Sequence, residues 1–121
     1  MARHNELGKM GEAMATSMLV GKGLRIRNHN WRCGKLEIDI VAESDDEIIF
    51  VEVKTRQNTY FADPKDAVTD KKIRNIVRAA DAYIKEYEVD KPARFDIVEI
   101  VGDDGGAEID YIEGAFLPPL M

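Results

Sequence analysis

Asp39 and the run Glu52-Val53-Lys54 set two carboxylates and an amine in the spacing D-x12-E-x-K. These residue types suit one chemistry in particular. Carboxylates brought together hold a hard cation. The group lies in the stretch LEIDIVAESDDEIIFVEVKTR, Leu36 to Arg56, which reads as a β-hairpin with Asp45-Asp46 at its tip. An even-numbered loop centred there pairs positions whose numbers sum to 91, so Asp39 faces Glu52 and Glu37 faces Lys54. Opposed residues of an antiparallel pair hold their Cβ atoms about 4.5–5.5 Å apart on one face, and like charges so placed are destabilising. Two facing carboxylates therefore call for a cation or a shared proton. Mg²⁺, with Mn²⁺ as its substitute, is the expected cofactor, because it takes oxygen ligands and commonly uses one or two carboxylates together with a substrate phosphate.

Alternation along the second arm supports the same site. Ile48, Phe50, Glu52 and Lys54 share one face, and Ile49, Val51, Val53 and Thr55 share the other. The second face is continuously apolar or β-branched, as in a central strand, while the first turns from apolar to charged toward its C-terminal end. Open sheets with parallel strands place ligands at that end. The competing reading is a solvent-facing charge ladder in which Lys54 neutralises Glu37, and an odd-numbered loop removes the facing pair.

The elements that position these groups follow from periodicity. Asn5 to Val20 reads as a helix whose core stripe is Leu7, Met10, Met14 and Met18, stopped by Gly21 and Gly23. Leu24 to Trp31 reads as a strand ahead of the hairpin. Thr69 to about Glu88 reads as a second helix, capped by Thr69, with Ile73, Ile76, Val77, Ala80, Ile84 and Tyr87 along one stripe. Arg94 to Val101 is a strand, Asp103 to Gly106 a turn, and Glu108 to Ile112 an edge strand before a Pro118-Pro119 tail. A strand, a helix and another strand make a crossover, so the strands at 48–55 and 94–101 are expected to be parallel and the connection right-handed. The expected fold class is α/β, a mixed sheet flanked by helices in the order α-β-β-β-α-β(-β). It forms a single domain over 1–121, with a core from about 5 to 101 and an edge strand and tail over 102–121.

Composition excludes several classes. At 45% hydrophobic and 33% charged residues, with four prolines, the 121-residue chain is neither disordered nor collagenous. It lacks an apolar run of membrane-span length and the apolar core of a signal peptide, so no membrane partner and a cytoplasmic location are expected. Cys33 stands alone and His4 and His29 are the only histidines, which excludes an intrachain disulfide and a zinc cluster. Arg27 to Asn30, RNHN, matches an HNH nuclease box only by chance, with no second histidine beside it. The net charge of −6 is unevenly spread, at −1 over residues 1–50, +3 over 51–80 and −8 over 81–121. Lys71, Lys72 and Arg74 crowd the first turns of the second helix, against its macrodipole. A phosphate held at that helix N-terminus explains the placement, with Arg78, Arg56 and Lys65 extending the patch. The plainer alternative is a solvated basic face offset by Asp70.

The motif resembles the PD-(D/E)xK signature of restriction-endonuclease-like nucleases, with Ile38 where the signature has proline. Its surroundings extend the likeness. Gly11-Glu12-x-x-Ala15, Asn30-Trp31-Arg32, Glu37-Ile38-Asp39, Phe50 to Arg56, Ala67-Val68-Thr69 with Lys72, and Arg94-Phe95-Asp96 together resemble the YraN-like family of small predicted endonucleases, from about Leu7 to Val101. The resemblance implies a restriction-endonuclease-like fold and a metal-dependent endonuclease acting on nucleic-acid phosphodiesters, DNA ahead of RNA, or a non-catalytic nucleic-acid-binding or adaptor module that keeps the fold. It implies Asp39, Glu52 and the Val53 carbonyl as metal ligands, Lys54 as the group that positions or activates the attacking water, and Glu12 as the acidic residue from the first helix. Glu12 also sits on a stripe of small residues, Gly8, Ala15 and Thr16, that lets a helix lie close to a sheet, though an exposed Glu12 paired with Lys9 fits as well. A domain this small presents little surface to a duplex, which makes a homodimer a further expectation.

Overall fold

The protein is described by a computed structural model over residues 2–56, 69–103 and 106–117. Its elements run α1 (Ala2–Gly21), β1 (Arg25–Cys33), β2 (Leu36–Glu43), β3 (Ile48–Arg56), α2 (Asp70–Glu86), β4 (Ala93–Asp103) and β5 (Gly106–Ile112). The strands form one mixed sheet in the order β1-β2-β3-β4-β5. β3 and β4 are parallel, as the crossover through α2 demands, and the other neighbours are antiparallel. No helix among the described residues is long and apolar enough to cross a membrane.

β3 is the centre of the fold because it is apolar on both sides. Ile49 and Val51 pack with Ile40, Ala42, Val98 and Ile100 beneath Ala15 and Leu19 of α1. Ile48 and Phe50 pack with Val41 and Phe95 beneath Ile76, Ala79, Ala80 and Tyr83 of α2. The helices thus cover opposite faces of the sheet.

The apolar stripe of α1 differs from the expected methionine stripe. Gly11, Ala15 and Leu19 form the buried face, whereas Met10 is half exposed. The reason is distance. A Cβ built on Gly11 falls 2.2 Å from the Thr55 methyl on β3, so the helix axis lies too close to the sheet for a larger residue there. Met10, Met14 and Met18 are displaced to the flank, where they line a groove with Ile109 of β5. The side chain of Leu7 lies outside the described residues.

In α2 the Thr69 cap forms as expected, its hydroxyl accepting from the Lys72 N–H at 3.2 Å. The core position near its C-terminus belongs to Tyr83, with Tyr87 44% exposed. Both tyrosines lie on one helix face, and polar partners decide between them. The Tyr83 hydroxyl donates to Asn28 Oδ1 at 2.6 Å and accepts from Arg27 Nε at 2.9 Å, and its ring meets Trp31 and Phe50 edge-on.

Candidate functional site

The hairpin register follows from its loop. Ser44 Oγ accepts from the N–H groups of Asp46 and Glu47, and the Ser44 N–H donates to the Glu47 carbonyl at 3.0 Å. Four loop residues put Glu43 opposite Ile48, and the ladder runs on to Ile40 opposite Val51, which is the expected pairing. There it stops. Beyond it the Asp39 carboxylate takes over the role of a ladder carbonyl, its Oδ2 accepting from the Val53 N–H at 2.8 Å.

The ladder stops because β2 breaks its alternation. Ile40 belongs to the α1 side of the sheet, and Ile38, two residues earlier, belongs to the α2 side. Asp39 sits at the reversal. On β1 the pairing passes from His29 opposite Ile40 to Trp31 opposite Ile38, and the residue between, Asn30, has φ of 49°. Asparagine is among the few side chains that tolerate this left-handed conformation. Glu37 is carried with the turned strand onto β1, where its carboxylate meets Arg32 at 3.2 Å. The expected contact between Glu37 and Lys54 is therefore not made.

Burial pushes the Asp39 carboxyl up to about 7, and repulsion from Glu52, Glu37 and Glu12 adds to it against the single Val53 hydrogen bond. Four acidic side chains thus share one field. Glu52 is only 8% exposed, and its Oε1 meets the Lys72 ammonium at 3.0 Å. Lys72 is hydrogen-bonded to the Lys54 amine. Burial lowers the affinity of Lys54 for its proton, and the neighbouring Lys72 lowers it further. Burial also opposes charge on Lys72, but its contacts with Lys54 and Glu52 outweigh that and hold its proton more tightly than usual. Of the two amines Lys72 therefore holds its proton the more tightly.

Glu12 reaches the same end of the sheet from α1, with its Oε2 accepting from Asn30 Nδ2 at 3.4 Å. It lines an open concavity of about 430 Å³ with Lys9, Ala13, Thr16 and His29. The turn at Asn30 and the acidic residue of α1 thus explain each other. Among the described residues no three His, Cys, Asp or Glu side chains converge to hold a metal ion, and Glu12 acts on Asp39 through its charge. The donor set is hard oxygen, two carboxylates of which Asp39 Oδ2 meets the Val53 N–H and Glu52 Oε1 meets Lys72. It fits Mg²⁺ or Mn²⁺, which keep several water or phosphate ligands, and does not fit a softer ion.

Of the expected phosphate contacts, Lys71, Arg74 and Arg78 are exposed along one side of α2. Lys72 departs from that expectation, because Glu52 draws it into the site. The side chain of Arg56, the whole of Lys65, and Ala67-Val68 lie outside the described residues. Nothing in the sequence marked the ion pair of Lys72 with Glu52, which joins residues twenty positions apart on different elements. The signal that was present is the Thr69 cap, which fixes where the first turn of α2 begins.

The sequence profile of the Uncharacterised protein family UPF0102 matches residues 11–100, the span that holds Glu12, Asp39, Glu52, Lys54 and Lys72. A UPF0102 protein of Phocaeicola vulgatus is 55% identical over 120 residues, covering 99% of each chain. One from Bacteroides thetaiotaomicron is 53% identical over the full length of both, and one from Parabacteroides distasonis is 47% identical over 98% of each. With the profile spanning most of the sequence and relatives matching it end to end, this chain belongs to the uncharacterised protein family UPF0102.

Proposed function

We propose that this protein is a metal-dependent nuclease of the YraN-like type with a restriction-endonuclease-like fold, hydrolysing phosphodiester bonds in nucleic acid, DNA ahead of RNA. One observation carries the reading. Asp39 and Glu52 act on each other at the point where β2 and β3 part, and the Lys54 and Lys72 amines both lie in the field of the two carboxylates. A carboxylate pushed up to about 7 by burial and by neighbouring carboxylates, with amines converging on it, is the arrangement expected of a functional site rather than of a surface charge ladder.

Asp39 and Glu52 would hold the divalent ion, with the Val53 carbonyl as the third protein ligand that the family resemblance suggests. The bound ion supplies Lewis-acid polarisation of the scissile phosphate and a lowered pKa for the attacking water. Lys54 would orient that water or stabilise the developing charge. Glu12 accepts a hydrogen bond from water on the α1 side. Lys71, Arg74 and Arg78 hold the phosphate backbone without reading sequence.

The test is a cleavage panel of single-stranded, duplex, flap and four-way-junction substrates with Mg²⁺ and Mn²⁺. Asp39→Asn and Lys54→Ala each lower the rate by at least about a thousandfold, with circular dichroism unchanged. Unchanged cleavage in both variants refutes the assignment. The exposed Lys71, Arg74 and Arg78 face also supports a second reading, a binding module without catalysis. That reading predicts salt-dependent binding with no metal requirement and no product on any substrate.

A further inference from the structure

Lys72 is the one cation among the described residues that forms an ion pair with the acidic pair of the candidate site, and it does so in a way that conflicts with a metal. Its ammonium lies 3.0 Å from Glu52 Oε1, on a carboxylate that is only 8% exposed. A divalent ion bound by Glu52 sits within a few ångströms of the same oxygen, where an ammonium repels it in a weakly screened environment. The two cations compete for one carboxylate. We propose that Lys72 is the resident counter-cation of the metal position, holding Glu52 in the metal-free protein and leaving it when a divalent ion binds.

This rests on the nuclease reading and adds an exchange to it. The architecture suits the exchange, because only a side chain has to move. The Lys72 backbone is fixed by the Thr69 cap at 3.2 Å, while its side chain is 40% exposed and so has an open route away from Glu52. Glu52 is anchored on the central strand and cannot follow. Retraction carries the ammonium toward the exposed Lys71 and Arg74 side of α2, the side assigned to substrate phosphate. Metal loading thereby converts a charge that neutralises the site into one that faces the incoming anion.

The experiment is calorimetric titration of the whole chain with Mn²⁺ at fixed pH and ionic strength, without substrate. Lys72→Met binds Mn²⁺ about tenfold more tightly than the natural chain, equivalent to about 1.4 kcal/mol. Lys72→Arg, which keeps the cation, stays within about twofold of it. Lys71→Met removes the same charge one residue away on the exposed surface and also stays within about twofold, which separates displacement at Glu52 from the general field. If Lys72→Met fails to fold by circular dichroism, Lys72→Gln carries the same expectation. Equal or weaker Mn²⁺ binding by the folded Lys72 variant, with the natural chain binding normally, overturns the exchange and leaves the nuclease reading standing. No specific Mn²⁺ binding by the natural chain overturns both.

Discussion

Asp39 is partly and Asp96 fully removed from solvent, and the protein treats them in opposite ways. Asp96, on β4, is fully buried and fully compensated. Arg94 grips it with Nε at 3.0 Å and Nη2 at 2.9 Å, Gly114 donates its N–H at 2.9 Å, and the Tyr111 hydroxyl adds a further short bond. Donating to Asp96 makes Arg94 hold its proton more tightly still, while burial and then Asp96 push the Tyr111 hydroxyl up. Asp39 receives one backbone hydrogen bond among the described residues and stands in the field of three other carboxylates. A network that meets every demand of its carboxylate ties β4, β5 and the segment after it together. One that leaves demand unmet is suited to an exchangeable ligand.

Substitution at the two aspartates should separate these roles. Asp96→Ala leaves a half-buried guanidinium without its carboxylate and lowers the unfolding free energy in urea by about 3–5 kcal/mol. A loss below about 1 kcal/mol would make the network ornamental and dissolve the contrast. Asp39→Asn acts the other way in the metal-free protein. The folded Asp39 titrates near 7, above its ordinary 3.8, so the folded state holds the proton more tightly than the unfolded chain. Stability is therefore highest below about pH 4 as far as this group is concerned, and falls as pH rises through about 7. Replacement by asparagine removes that slope and stabilises the metal-free protein at pH 8 by ~2 kcal/mol. Urea unfolding at pH 5 and pH 8 in chelator measures it, and an unchanged slope counts against the crowded-carboxylate account.

The smallest effect probes how α1 is seated. Gly11→Ala forces a Cβ against the Thr55 methyl, an overpacking cost of about 1–3 kcal/mol, while replacing glycine in a helix returns about 1 kcal/mol. The net loss is ~1 kcal/mol. Thr55→Ser removes the obstructing methyl, so the double variant should be more stable than the sum of the single changes implies. Strict additivity would place the contact elsewhere.

Parts of this arrangement are legible in the sequence because they depend on local rules. Loop parity at Asp45-Asp46 carries Asp39 toward Glu52, Thr69 announces the start of α2, and the two apolar faces of Ile48 to Val53 mark the central strand. Other parts depend on how elements lie against each other. The choice of Gly11, Ala15 and Leu19 over the methionines is decided by Thr55 on a distant strand, since periodicity accommodates either stripe. Tyr83 is chosen over Tyr87 by Asn28 and Arg27. Glu37 turns away from Lys54 because the reversal at Asp39 is shared with Asn30, and a left-handed asparagine leaves no hydrophobic signature. Lys72 reads as one more basic residue until the start of α2 is set beside β3.

The contact between Gly11 and Thr55 also works as a shim. Each residue is the immediate chain neighbour of a proposed site residue, Glu12 on the helix and Lys54 on the strand, so the thickness of one missing side chain sets how far the helix that carries Glu12 stands from the strand that carries Lys54. Any bulk added at that point is transmitted to the opening between helix and strand before it reaches anything else. The seat of the helix that carries Glu12 is therefore gauged by a residue that has no side chain and performs no chemistry.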